Sequence, residues 1–336
     1  MESVNQKVNV VVNGMKFDAS LDRIRSWRAE HIYFDLEKLA TDSLPITAQM
    51  EMYYFFRQIE RCLLLYRRRH LHQAELFFTY LAQSVIPKDT QVSCGMYSLR
   101  LAMEAYRDFV LDNGTGAQEK LEQAIDYALR QSVTVPRFLI AAEEQWFNKI
   151  KAFAKTSSFN EGVFVNDALL LLCFGYTGIA DTADLSAVME KNQSEDKENM
   201  IINNLDRLLK MMHTLMSEGK FKTIWKTLFF KQLQQIVVMV DKEFTYGISS
   251  IINLIGDFFQ GNKMSFLDAV CTNMDIVNVM PFYIKREIVQ AFLTTVDEYK
   301  VDISHCAGYG VFATLIKQYL HIRHIPLMNT PLLHVA

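Results

Sequence analysis

The densest positive charge in the chain is the run Arg67-Arg68-Arg69-His70-Leu71-His72. Arginine presents a planar fork of donors that matches a carboxylate or phosphate. Arg67, Arg68, Arg69 and His72 are therefore the residues to which an acidic peptide segment or an anion would be drawn. The same run suits a solvated helix end, where positive charge offsets the exposed carbonyls. Three consecutive helical positions fan over about 200°, so the three guanidiniums cannot all face a core. A second constellation is His321 with His324. Imidazoles three apart share a helix face and can hold a metal between them, and His305 and Cys306 stand nearby in sequence. With Arg323 they equally suit a helix C-terminus. No structural metal and no other cofactor is expected.

The motifs that carry catalysis are missing from the sequence. There is no His-Glu-x-x-His, no Gly-x-Ser-x-Gly and no Cys-x-x-Cys. No histidine follows a glutamate at the Glu-x-x-His spacing of di-iron bundles. The segment from Gly256 to Lys263 approximates a phosphate loop, but its lysine is one place late and no Ser or Thr follows at the required position. It reads as a helix ended by glycine. Gly308-Tyr309-Gly310 follows no expected strand, so it is not a dinucleotide loop. Glu143 and Glu144 are adjacent and point about 100° apart on a helix, too far to form one acid/base pair. Both are expected on the surface.

Half of the 336 residues are hydrophobic and 22 % are charged, so the chain can bury a large core. Only 13 Gly and 6 Pro interrupt it, which favours long helices over many-turned β structure. A net charge of −3 gives no basic footprint for phosphates, and nucleic acid is not an expected partner. The N-terminus has no long apolar run, so no secretory leader is expected. The longest apolar-rich stretch, 162–176, is too short for a membrane span. Five widely spaced cysteines read as reduced thiols of a cytoplasmic protein.

These residues must be positioned by helices. The first 18 residues differ, since Asn13-Gly14 between extended-favouring runs is a hairpin signal. Periodicity then predicts helices from Ser20 to Ala40 and from Ala48 to Arg69. The second is apolar on most sides and is expected to be buried between neighbours. Further helices are expected over 72–84, 97–111, 117–131 and 136–155, with a short apolar one after Asn166 or Asp167. Residues 178–200 are rich in charge and amides and read as a flexible connection. Beyond it Ile201, Leu205, Leu208, Met212 and Leu215 form an apolar seam, followed by helices over 221–240 and 244–259. Ser265 to Asp268 reads as a capping box, Pro281 opens a helix to about Lys300, and a last helix spans 308–324. The organisation expected is an arm over 1–18, a hairpin array over 19–177, the connection 178–200 and a helical region over 201–336.

Two hairpins share a spacing. Cys62 is followed by Ala74, Phe78 and Leu81; Ala105 is followed by Ala117, Leu121 and Ala124. Over about 80 residues this resembles the tetratricopeptide pattern of small, small, large and small positions. The units are 43 residues apart rather than 34, Leu65 and Asp108 stand at the aromatic position, and the repeat-ending prolines are displaced. The resemblance implies an all-α stack of antiparallel hairpins, an α-solenoid with a groove for peptide segments, and carries over no functional residue. The expected function is a non-catalytic scaffold for a protein or peptide segment. The alternative is an all-α enzyme or small-ligand sensor with an apolar pocket, favoured if Glu60, Arg57 and Arg61 lie deep among aromatics. Far-UV circular dichroism should show helix above roughly 60 %, well over the usual third; strand near one quarter would refute the fold class.

Overall fold

The computed structural model describes residues 35–84, 86, 88, 90–177, 194–240, 246–272, 277 and 280–299, and the backbone of 10–12 and 15–17. These residues are almost wholly helical. Two three-residue strands, β1 (Val10–Val12) and β2 (Met15–Phe17), pair antiparallel with Val12 opposite Met15. The helix start at Ser20, the connection over 178–193 and the helix over 308–324 lie outside the described residues. By compactness the chain divides into residues 21–201 and residues 202–336 with 1–20.

In the first unit α1 covers residues 35–43. It is followed by α2 (Ile46–Arg67), α3 (Leu71–Gln83), α4 (Ser93–Val110), α5 (Gly114–Ser132), α6 (Phe138–Phe153) and α7 (Glu161–Thr177). Each helix from α4 to α7 packs on the next, while α2 packs on both α3 and α4. Cys62, Ala74, Ala105, Ala117 and Ala124 are all buried, and small side chains there let the helices approach closely. Between α4 and α5 the approach is sealed by polar bonds. Ser98 Oγ donates to the Ala124 carbonyl at 2.8 Å, and the Gly95 amide donates to Gln131 Oε1 at 2.7 Å. A Cβ at Gly95 would stand 2.8 Å from both Leu36 and Phe138.

The second unit holds α9 (Thr223–Val240), α10 (Tyr246–Gln260), α11 (Lys263–Thr272) and α12 (Phe282–Tyr299). The boundary between units falls within α8 (Ser194–Ser217), so residues 194–200 are helical rather than part of a connection. All five seam residues from Ile201 to Leu215 are buried. Phe230 and Phe259 stack at 5.0 Å between α9 and α10.

Several helix starts differ from those the sequence suggests, two of them for a capping reason. Asn113 Oδ1 accepts the Gly116 amide at 3.1 Å, so the Gly114-Thr115-Gly116 turn is the first turn of α5. Asn160 Oδ1 accepts the Val163 amide at 3.1 Å and starts α7 ahead of Asn166 and Asp167. Ser265 and Asp268 lie inside α11, which begins at Lys263. The largest correction concerns α2. Its inward arc buries Phe55, Ile59, Cys62 and Tyr66, yet five large apolar side chains (Ile46, Met50, Tyr53, Tyr54 and Leu64) are exposed. A helix packed by neighbours on one side only leaves the opposite arc in water, whatever its residues.

Four helices end in the same closure. A left-handed residue follows the helix, and the next amide reaches back five residues, as His70 does to the Leu65 carbonyl at 3.0 Å. The left-handed residue is Gly219 or Gly261 in two cases, Asp112 (φ 60°) in the third and Arg69 (φ 60°) in the fourth. A side chain with Cβ is strained there. Arg69→Gly should therefore stabilise the fold by up to about 1 kcal/mol, read as a higher urea midpoint at an unchanged slope; a lowered midpoint would mean that the Arg69 side chain is needed for folding.

Candidate functional site

The end of α2 carries the nominated basic run. Arg67 is its last residue, Arg68 its C-cap, Arg69 the left-handed residue of the turn, and His72 lies in the first turn of α3. All four are exposed, and among the described residues none of them forms an ion pair. The charge is therefore presented to solvent at the tip of the α2–α3 hairpin, beside carbonyls that it partly offsets.

One turn inward lies a constellation that sequence reasoning missed. Tyr66 is fully buried and its hydroxyl donates to Glu75 Oε1 at 2.6 Å. Arg107 grips the same carboxylate with both arms of its fork, Nε and Nη2 each at 2.8 Å. Its guanidinium also lies 4.5 Å from the Phe78 ring centre. The hydrogen bond from Arg107 holds the Glu75 carboxyl below its ordinary range. Burial, then Glu75, pushes the Tyr66 phenol up, and the buried Cys62 thiol is pushed up to about 11 by the same two causes. No pattern in the sequence joins residues 32 apart on three helices; only the unsatisfied need of a buried tyrosine hydroxyl for an acceptor hints at it.

The outer arc of α2 exposes a row of large apolar side chains. Ile46 and Met50 are each 68 % exposed, with Tyr53, Tyr54 and Leu64 along the same face, and Leu76 and Tyr80 exposed on α3. Arginines are interleaved with them. Arg57 donates to the Tyr53 hydroxyl at 3.1 Å and to Glu60 at 3.0 Å, while Arg61 lies 5.5 Å from the Phe77 ring centre. Arg57 and Glu60 are thus a surface pair, 58 % and 46 % exposed, and not charges held deep among aromatics. Between α4, α5 and α6 lies a cleft of about 40 Å³, floored by Ala102, Ala105 and Ala152 and walled by Tyr106 and Phe109. Lys155 Nζ lies 4.1 Å from the Phe109 ring centre. Glu143, expected at the surface, is instead buried at 3 % exposure, because α6 is covered by both α5 and α7.

Comparison with known families, curated proteins and solved structures returns no match for this chain.

In the second unit a carboxylate is clamped by two basic groups. Glu287, 3 % exposed, meets His213 Nε2 at 2.5 Å and Lys226 Nζ at 2.9 Å, joining α12 to α8 and α9. Asp206 Oδ1 accepts the Tyr283 and Ile284 amides at 2.6 and 3.2 Å and pins the start of α12. Burial pushes the Asp206 carboxyl up. At Glu287 burial opposes ionisation, but His213 and Lys226 outweigh it and hold the carboxyl below its ordinary range. Among the described residues no three His, Cys, Asp or Glu side chains gather in a metal-binding group; His321 and His324 lie outside them. No described helix is long and apolar enough to cross a membrane.

A carboxyl whose folded-state value is depressed stabilises the fold above its unfolded value and loses that contribution as pH falls through the folded one. Glu287→Gln should cost about 3 kcal/mol at neutral pH, because it leaves buried basic groups without their counter-charge. The gap between variant and wild type should narrow as pH drops below about 4.5; urea titrations at several pH values would show it, and a gap independent of pH would deny the carboxylate its charge role.

Proposed function

We infer that the chain is a non-catalytic interaction module, in which stacked helical hairpins hold a protein or peptide segment. The observation that carries this reading is the outward arc of α2. Five large apolar side chains stand in water there among arginines, and contiguous exposed apolar surface of this kind is where macromolecules meet. Exposed tyrosines and arginines are the side chains most enriched at the energetic centres of interfaces. The basic tip at Arg67, Arg68, Arg69 and His72 would add charge-assisted bonds to carboxylates of the bound segment. The cleft between α4, α5 and α6 would serve as the groove and take one apolar side chain.

The tetratricopeptide-like reading of the array is supported by the buried small residues of both hairpins and by helices that pack largely on their neighbours in sequence. The cleft between α4, α5 and α6, at about 40 Å³, is well below the roughly 300–1,000 Å³ of drug-sized sites, so it suits one side chain better than a small ligand. We place the protein in the cytoplasm, because its five widely spaced cysteines read as reduced thiols.

The reading is tested by capture from lysate on immobilised protein. Ile46→Lys combined with Leu64→Lys should leave the melting temperature unchanged and cut capture at least tenfold, a loss of about 1.4 kcal/mol. Alanine at Arg67, Arg68 and Arg69 should weaken capture more at low salt than at high. Normal capture by the folded double variant would refute the proposal.

A further inference from the structure

The cleft between α4, α5 and α6 has two unlike walls. Ala102, Ala105, Tyr106 and Phe109 line it from α4, Asn148, Lys151 and Ala152 from α6, and Leu121 from α5. Each wall is one helical stripe, because its residues follow at steps of three and one. Lys155, three residues beyond Ala152, continues the second stripe just past the end of α6. The α4 wall is made of alanines and aromatic rings. The α6 wall sets an amide and ammonium groups around a single alanine. Lys155 Nζ lies 4.1 Å and Lys151 Nζ 5.3 Å from the centre of the Phe109 ring, so both charges converge on one end of the cleft. Both lysines are exposed, and among the described residues Lys155 forms no ion pair. Like charges one turn apart repel, and a carboxylate between them relieves the repulsion. An ammonium resting on a ring still has donors for such a partner, since it carries three.

We propose that this cleft binds an aliphatic residue and its acidic neighbour within a partner segment, the aliphatic side chain against the α4 wall and the carboxylate on Lys151 and Lys155. The proposal rests on the reading of the chain as a module that holds a peptide segment, and it names the chemistry of that segment. An apolar side chain alone would leave Lys155 without a counter-charge, and an anion alone would leave the alanines unfilled. The pair answers both walls. At about 40 Å³ the cleft admits one short aliphatic side chain. The acid is placed inside a segment rather than at a chain end because positive charge continues beyond the cleft. The bond from Arg107 to Glu75 sets the last turn of α4 beside the start of α3, where Arg67, Arg68 and Arg69 stand exposed. A chain that runs on past the cleft at this end meets them.

The probe is a labelled peptide with one Leu-Glu pair among serines and glycines, acetylated and amidated so that its ends carry no charge. Fluorescence anisotropy follows its binding to the full chain from roughly 1 to 500 µM protein. Wild type should bind it saturably, and more tightly at low salt than at high. Leu-Gln and Ala-Glu versions should each bind at least about fivefold more weakly. Lys151→Ala with Lys155→Ala should keep the melting temperature and bind the Leu-Glu and Leu-Gln peptides alike. Ala102→Leu, which fills the cleft, should bind the Leu-Glu and Ala-Glu peptides alike. The lysine variant changes exposed side chains only, so it decides the question even where Ala102→Leu does not fold. No saturable binding by wild type, or a preference for Glu over Gln that survives loss of both lysines, overturns the proposal. Binding only of a leucine peptide whose own terminal carboxylate is left free overturns the internal pair. A chain that ignores the peptide, yet loses lysate capture on Ile46→Lys with Leu64→Lys, overturns the ligand of the cleft and leaves the α2 reading standing. A chain that fails both tests overturns both.

Discussion

The arrangement of the first unit depends on the half-buried carboxylate of Glu75. Tyr66 on α2 is fully buried, so its hydroxyl must find an acceptor or cost the fold a lost hydrogen bond. Glu75 on α3 supplies it. That anion, partly out of water, then needs a cation, and Arg107 on α4 meets it with both arms of its fork. Phe78 covers the guanidinium in turn. Each group answers a need created by the previous one, and the chain of needs runs through three helices. Charged hydrogen bonds in such a setting strengthen one another, so the three act as one network.

The outward arc of α2 follows from that network. Once Tyr66 points at Glu75, the 3.6-residue turn sends Cys62, Ile59 and Phe55 to the same side and Leu64, Arg57, Tyr53, Met50 and Ile46 to the other. The apolar face is therefore a consequence of how the inner face is anchored. It cannot rotate into the core without breaking the Tyr66–Glu75 bond. Arg107 and the run at 67–69 thus divide the two uses of arginine between them. One is a bidentate tie, satisfied within the fold; the others project from a helix end with their bonding capacity unspent among the described residues.

How much of this was legible depends on the range of the interaction. The helical class was readable because apolar spacing and the scarcity of glycine and proline act locally. The seam from Ile201 to Leu215 was readable for the same reason, and all of it is buried. Capping was read less well. Asn160 and Asn113 each satisfy an amide three residues on, and both were passed over in favour of later residues. Arg69 in a left-handed turn could not be foreseen, since glycine or asparagine is the expected residue there. The α2 helix was misjudged because composition counts apolar residues without saying which arc is covered. Glu75 with Arg107, and Glu287 with His213 and Lys226, join residues 32, 74 and 61 apart. Only the packed fold brings such pairs together.

The second unit shows why its charged cluster belongs to the architecture. Glu287 has both carboxylate oxygens engaged, one by His213 and one by Lys226. A catalytic acid or base must be able to reach a substrate proton, and at 3 % exposure the Glu287 carboxylate is turned to its two basic partners and away from solvent. What it does offer is registry. A buried ion pair adds little net stability over apolar residues, but it heavily penalises any packing that separates the partners. Asp206 acts in the same way on the first amides of α12, which would otherwise lie unpaired at a half-buried helix start. The two anions thus fix α12 against α8 at two points, one at its first turn and one a turn further on, which sets both its position and its rotation.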